Sequence, residues 1–362
     1  MKILYTGDYS KAPLTKAPLF VSRTLFLQLE DMGKDVIYLT YFQNGKKYDR
    51  LQKLFGFEVI DKERRIYRSG IFPYIFFIIK FKPDIIHLIN FQLFYIVLFP
   101  LKKYIGAKLV YTAHGIRIYE AKHFLNIPNR RRMRILINEF LIMKFSDIIF
   151  VLSNLTGRFI RRYYNLQDIK IRTVPNGVNI PNEQKKYHEQ IMTTLNAYCI
   201  GDINRSEKGY GFLFNVLKCT DTKIDITAFS TQVNYKLDIR IEEPVPNEIL
   251  RKRIINYYLF ITTSIYEPFS LALLEAMSCG LLFIASDRVG LVERFDEKLK
   301  KLVYKHNDEN SFLEKINYIS SLKYSDVLTL SSHIRNFAKN YSIENVCKLY
   351  LENYKKICRK TN

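Results

Sequence analysis

The chain has 362 residues, 48% of them hydrophobic, and carries 56 Lys+Arg against 35 Asp+Glu for a formal net charge of +21. That length and apolar content predict about two domains with real cores, and no Pro/Gly/Ser-rich tract or solenoid-period repeat appears, which excludes a disordered or repeat protein. The charge calls for an anionic partner: nucleic acid, an acidic membrane surface or a phosphorylated substrate. The five cysteines show no CxxC or Cys/His zinc spacing, which excludes a zinc module and fits a reducing compartment.

In chain order, KILYTG (2–7) reads as a first strand with no secretory apolar core before it, so a cytoplasmic protein is expected. A helical segment closes on Met32-Gly33, and DVIYLT (35–40) is the next strand. Residues 71–101 are strongly apolar, but Lys80, Lys82, Pro83 and Asp84 interrupt them, so neither half reaches the ~20 apolar residues of a membrane span. The stretch reads as helix, strand (DIIHLIN, 84–90) and helix, with part of the first helix placed at a membrane surface. KLVYTAH (108–114), DIIFVLS (147–153) and IRTVPNG (171–177) are further strands. Between them Asn129-Arg-Arg-Arg-Met-Arg134 opens a helical run, and two readings stay open: a basic face on anionic lipid, or an exposed basic turn capping a core helix.

Residues 178–194 are polar, carry Pro181 and read as a linker. A second strand series follows: AYCIGD (197–202), IDITAF (224–229), LDIRI (237–241), LFITTS (259–264), LLFIAS (281–286) and KLVYK (301–305), with a last helix over 341–360. Such Val/Ile/Leu runs suit parallel strands covered on both faces, and strand–helix alternation predicts doubly wound α/β domains. The predicted architecture is two Rossmann-like parallel-sheet domains, residues 1–182 and 183–340, facing across a cleft, a preferred place for ligands. The C-terminal helix within 341–362 is expected to pack back on the first domain.

The stretch SIYEPFSLALLEAMSCG (264–280) carries Glu267 and Glu275. A helix opened by Ser270 is apolar nearly all round, so Glu275 has no polar face and is predicted to be buried. A buried carboxylate needs hydrogen-bond donors. Glu267 stands before the helix, after a strand, where open α/β sheets bind ligands. Upstream, GDINRSEKGYGFLFNVL (201–217) leads from a strand through Arg205, Lys208 and Gly209 into a helix. A helix N-terminus suits phosphate; Lys208 would add a point charge and Arg205 a bidentate grip. A solvated lysine is the plainer reading of that loop taken alone.

These segments, with KPDIIHLIN (82–90), YTAHG (111–115), SDIIFVLS (146–153), VPNGVN (174–179) and VGLVE (289–293), resemble the retaining family-4 glycosyltransferases of the GT-B fold (glycosyl transferases group 1) over almost the entire chain. The resemblance implies that Glu275 holds the ribose hydroxyls of a nucleotide-sugar donor and that Glu267 faces the donor sugar. It implies that the N–H groups of Phe269, Ser270 and Leu271 bind sugar and phosphate oxygens. Lys208 and Arg205, with Gly209 after them, would neutralise the leaving diphosphate. His114 would contact the donor sugar or lie near the acceptor; a histidine satisfied by backbone at a strand end is the alternative. His87, inside a strand run, reads as core. Asn176-Gly177 reads as a turn. No metal or cofactor is expected, and no Asp-x-Asp motif is present.

Three positions depart from the family pattern. Asp202 stands where an arginine is usual, and it must turn away from a diphosphate or meet another donor group. The first loop, GDYSKAPLTKAP (7–18), lacks the usual glycine pair. Val289-Gly290 replaces a second Gly-Gly. The expected function is retaining transfer of a sugar from a UDP- or GDP-sugar to a glycan or lipid-linked glycan, in cell-surface polysaccharide, lipopolysaccharide or capsule synthesis, peripheral at the inner membrane leaflet. An epimerase of the same fold is the alternative. A phosphorylase is disfavoured for want of a second-domain lysine site for a bound cofactor, and a nucleic-acid module for want of any recognition signature.

Overall fold

The apolar runs become strands because helices cover both faces of each sheet. The computed structural model describes residues 1–9, 17–42, 48–90, 93–124, 127–167, 170–188, 195–220, 223–231 and 239–359. The first half runs β1 (Lys2–Thr6), α1 (Ala17–Asp31), β2 (Asp35–Tyr41), α2 (Arg50–Phe55), β3 (Phe57–Asp61), β4 (Ile66–Ser69), α3 (Ile71–Phe81) and β5 (Ile85–Leu88). It continues with α4 (Leu98–Ile105), β6 (Lys108–Ala113), α5 (Arg117–His123), α6 (Asn129–Phe145), β7 (Ile148–Val151), α7 (Asn154–Tyr164) and β8 (Ile171–Thr173). The sheet order is β3-β4-β2-β1-β5-β6-β7-β8. All pairings are parallel except β3 with β4. That antiparallel edge hairpin is absent from the sequence prediction; the residues of β3 are exposed or half-buried and lack the apolar signal of a covered strand.

The second half runs β9 (Leu195–Ile200), α8 (Tyr210–Leu217), β10 (Ile224–Phe229), β11 (Arg240–Glu242), α9 (Asn247–Ile254), β12 (Leu259–Thr262) and α10 (Leu271–Ser278). Then come β13 (Leu282–Ser286), α11 (Glu297–Lys300), β14 (Val303–Tyr304), α12 (Glu309–Ser320), α13 (Tyr324–Lys339) and α14 (Ile343–Arg359). Its sheet, β11-β10-β9-β12-β13-β14, is parallel throughout. The expected strand 301–305 shrinks to Val303–Tyr304. Of the expected strand 237–241, residues 237 and 238 lie outside the described residues, as do Ser10 and Lys11 of the first loop.

The segment after β8 contains no helix or strand up to residue 188, yet it is tied down. Arg335 donates to Gln184 Oε1 at 2.8 Å, and the buried Tyr187 hydroxyl accepts from Leu282 N at 2.8 Å. α14 returns to the first sheet and packs with α1 over β1 and β5 through Ile343, Val346, Tyr350 and Tyr354. A buried polar chain completes that contact. His87 Nε2 meets Thr112 Oγ1 at 2.7 Å, His87 Nδ1 meets the Tyr354 hydroxyl at 2.5 Å, and that hydroxyl meets Tyr5 Oη at 3.0 Å. Buried polar groups must be satisfied in this way, and His87 is a core residue, as expected. Among the described residues, no helix is long and apolar enough to cross a membrane.

Candidate functional site

The second sheet reverses its winding at β9, which pairs with β10 on one side and β12 on the other. Loops leaving the carboxyl ends of strands at such a switch point bound a crevice. The loop after β9 ends in a single 3-10 turn, Ser206–Lys208, and Gly209 at φ 70. A Cβ on Gly209 would lie 2.0 Å from the Thr263 carbonyl oxygen, so the loops after β9 and β12 interlock only because this residue is glycine. Thr263 Oγ1 donates to the Lys208 carbonyl at 3.0 Å, and Ile265 N donates to the Glu207 carbonyl at 2.8 Å. The consequence is a close ion pair, Lys208 Nζ to Glu267 Oε2 at 2.6 Å, with side chains 24% and 20% exposed.

Arg205 pairs with Glu207, whose side chain is buried. Asp202 does turn aside: its Oδ1 accepts from Asn204 N at 3.0 Å, Asn204 Nδ2 at 3.1 Å and Thr231 Oγ1 at 2.8 Å. Desolvation alone would raise its pKa, but these hydrogen bonds outweigh it and hold the carboxyl below its usual value.

After β12 the chain passes Glu267 and Pro268 before α10. Glu267 pairs with Val289 in a parallel bridge, and Gly290 N donates to the Glu267 carbonyl at 2.8 Å. A Cβ on Gly290 would meet Pro268 O at 2.0 Å, whereas Val289 is buried against the core. One glycine of the family's pair therefore suffices here. Ser270 takes the left-handed conformation, φ 75, and its Oγ accepts from Leu273 N at 3.3 Å to cap α10. A non-glycine residue held there is strained by about 1–3 kcal/mol. Among the described residues, the N–H groups of Phe269, Ser270 and Leu271 donate no hydrogen bond. They form the electropositive mouth of an eight-residue helix.

Glu275, on the same helix, is 4% exposed, as its all-apolar surroundings predict. Its Oε1 lies 3.4 Å from Arg251 Nη2, and the Arg251 guanidinium stands 5.9 Å over the Phe20 ring of α1. The carboxylate is thus buried beside a cation and close to the first half.

Across the cleft, β6 ends at Ala113 and His114 follows. Burial lowers the His114 pKa to about 4, so the imidazole is neutral, and its Nε2 is buried without a hydrogen-bond partner among the described residues. Ile116 N donates to the Tyr266 hydroxyl at 3.1 Å, joining the halves beside Glu267. α5 then starts on a buried carboxylate from α6. Glu139 accepts from Arg117 N and Ile118 N, both at 2.9 Å, and from the Tyr164 hydroxyl at 2.7 Å. Glu120, on α5, has its pKa raised to about 7 by burial, against the pull of Arg205 and with Glu207, Glu267 and Glu139 adding to the rise.

The predicted residues Lys208, Arg205, Gly209, Glu267, Phe269, Ser270 and Leu271 occupy interlocked loops of the second half; Glu275 lies one turn further along α10, and the His114 loop touches Pro268 and Tyr266. Sequence reasoning missed Glu120, Glu139, Glu207 and Arg251. Glu207 was legible as the neighbour of Lys208, and Glu120 as a carboxylate shortly after His114. Arg251 and Glu139 carried no signal, since each meets its partner only through tertiary packing.

The family model described as Glycosyltransferase Family 4 matches residues 21–181, and that described as Glycosyl transferases group 1 matches residues 234–341. No curated protein matches the chain by sequence. Sucrose-phosphate synthase from Thermosynechococcus elongatus is similar in structure, with a TM-score of 0.76 at 16% identity over 100% of both chains. Anabaena HepE, in complex with UDP and glucose, has a TM-score of 0.67 at 15% identity, covering 98% of this chain and 100% of its own. The lipopolysaccharide outer core galactosyltransferase WaaB has a TM-score of 0.70 at 16% identity over 100% of both. At these identities the likeness speaks for the fold, two parallel α/β sheets set as in GT-B enzymes, and the family models speak for the rest. The chain belongs to the family-4 glycosyltransferases of the GT-B fold.

Proposed function

We propose that the protein is a retaining glycosyltransferase that moves a sugar from a UDP- or GDP-sugar to a hydroxyl of a glycan or lipid-linked glycan. The observation that carries this is the Lys208–Glu267 pair, 2.6 Å apart, set beside the open N-terminus of α10. In the first half (1–182) the acceptor would bind; in the second (183–340), the donor. Lys208, Arg205 and the N–H groups of Phe269, Ser270 and Leu271 would face the diphosphate. The bond from the anomeric carbon to the leaving oxygen breaks, the acceptor oxygen bonds on the same face, and its proton passes to the diphosphate. Charge develops on the leaving group, and fixed positive charge in a partly dry cleft stabilises it without reorganising.

Glu267 then accepts hydrogen bonds from donor-sugar hydroxyls, Glu275 from the ribose hydroxyls, and neutral His114 contacts the transferred sugar. No metal is needed, because Lys208 and Arg205 supply the positive charge. HepE, a structural neighbour, is described with UDP and glucose, and WaaB acts in lipopolysaccharide outer core synthesis. Both are consistent with a role in cell-surface polysaccharide or glycolipid synthesis.

The surface supports peripheral contact with an anionic inner leaflet. Met133, Ile137 and Phe140 are exposed along α6, as are Phe72 and Phe76 on α3, while Arg130, Arg131 and Arg134 are exposed at the start of α6. A helix that exposes arginines beside large apolar side chains suits a headgroup surface.

Calorimetric titration of UDP, GDP and ADP and their common sugars into the wild type and Glu275→Ala tests the donor site. Binding of one nucleotide, weakened by about tenfold or more in the variant, is expected for loss of hydrogen bonds to a charged group. No binding to any folded preparation would overturn the proposal. The anomeric configuration of the product, read by NMR, tests retention.

A further inference from the structure

Glu120 has no task in the mechanism above, yet its charge interacts with Arg205, Glu207 and Glu267 of the other half. It stands on α5, whose first turn Glu139 locks by two backbone hydrogen bonds. Its Oε1 lies 2.5 Å from the point a Cβ on Gly115 would occupy, so glycine there leaves the carboxylate its place against the His114 turn. Arg205, Glu207 and Glu267 face it from the second half and Glu139 from α6, and the Tyr266 phenol also feels its charge. Among the described residues, the Glu120 carboxylate accepts no hydrogen bond. The neighbouring His114 Nε2 is buried and has no hydrogen-bond partner among the described residues.

A half-buried carboxylate that no donor among the described residues reaches is open to a ligand that brings O–H groups. Glu207, Glu267 and Glu139 add negative charge around Glu120, which disfavours a phosphate against its carboxylate even with Arg205 facing it. A polyhydroxylated ligand meets both needs, donating to the carboxylate and bonding the imidazole nitrogen. We propose that Glu120 is a hydroxyl-binding residue of the cleft, its carboxylate accepting a hydrogen bond from a sugar hydroxyl on the side opposite Glu267. This rests on the glycosyltransferase assignment and extends it to the first-half wall of the site. The hydroxyl belongs to the donor sugar or to the acceptor, and the experiment separates them.

Glu120→Gln, which keeps the shape, and Glu120→Ala are compared with the wild type. Calorimetry uses UDP, GDP and ADP beside UDP-glucose, GDP-mannose and ADP-glucose. Donor hydrolysis and transfer to a panel of methyl glycosides are followed alongside. If the donor sugar supplies the hydroxyl, affinity for the nucleotide-sugar falls about tenfold or more while that for the free nucleotide is unchanged. If the acceptor supplies it, nucleotide and nucleotide-sugar affinities and donor hydrolysis are unchanged while the KM for the glycoside rises by a similar factor. Equal weakening of nucleotide and nucleotide-sugar, or no change in any measurement, overturns the assignment. A folded wild type that binds no nucleotide overturns the glycosyltransferase assignment first, and this one with it.

Discussion

Replacing Gly209 by alanine tests how the loop that carries Lys208 is built. The residue sits at φ 70, and its new Cβ would fall 2.0 Å from the Thr263 carbonyl oxygen. Real contacts of this kind do not close below 3.0 Å, so the two loops must part by about 1 Å, and both colliding partners are backbone. The left-handed conformation costs alanine about 1–2 kcal/mol. Parting the loops also breaks the 3.0 Å hydrogen bond from Thr263 to the Lys208 carbonyl, about 1 kcal/mol more. The sum, about 2–3 kcal/mol, corresponds to a fall in Tm of roughly 4–12 °C for a body of this size. Lys208 moves with the loop, and a displacement of about 1 Å at a reacting centre costs about a hundredfold in turnover. Thermal unfolding and nucleotide-sugar turnover check the two effects together. Gly211→Ala is the control: it lies inside α8, exposed, with nothing within 4 Å of its Cβ, and is expected to be neutral or to stabilise by up to ~1 kcal/mol. A Gly209→Ala protein with wild-type Tm and turnover would refute the interlocked-loop account.

If Arg205 stands in for the arginine that Asp202 replaces, Arg205→Ala weakens donor binding much as Lys208→Ala does; an unchanged Kd in calorimetry sinks that substitution of roles. Glu139→Ala leaves two buried backbone N–H groups and the Tyr164 hydroxyl without their acceptor, so a loss of about 2–4 kcal/mol is expected in urea unfolding, and a loss under ~1 kcal/mol argues that water replaces the carboxylate. Three groups with large shifts shape the acid side of the stability profile. Burial depresses His87 to about 3 and His114 to about 4, so as pH falls below 6.5 the unfolded chain takes up two protons that the folded chain refuses, and stability is lost at ~1.4 kcal/mol per group per pH unit. Glu120, raised to about 7, works the other way: the folded chain takes its proton first, returning ~1.4 kcal/mol per unit between pH 7 and 4.5. Glu120→Gln should therefore be steeper in its acid loss than the wild type by that amount over this window, and parallel profiles from urea midpoints would contradict it.

Much of the fold was legible because period and covering agree. Runs such as IIFV (148–151) and LFIA (282–285) are apolar at every position, and only a strand covered on both faces buries all of them. The burial of Glu275 was legible for a related reason: a short helix apolar on all sides offers its carboxylate no route to water. The edge hairpin at Phe57–Ser69 was not legible, because an exposed strand has no such pattern and is held by its pairing with β2 through β4.

By its sequence alone the chain determined which segments are strands and helices, the two alternating series, and the residue types of the donor loops, since these depend on local conformational preference and on apolar periodicity. The tertiary structure decided which charges meet. Lys208 and Glu267 close to 2.6 Å because two loops from a sheet switch point interlock through Gly209. Arg251 reaches Glu275, and Glu139 fixes the first turn of the helix that carries Glu120, through contacts between residues apart in the chain. Such pairings follow from the packing of whole sheets, and a pairwise Coulomb or hydrogen-bond term acts over a few ångströms that the order of residues does not specify.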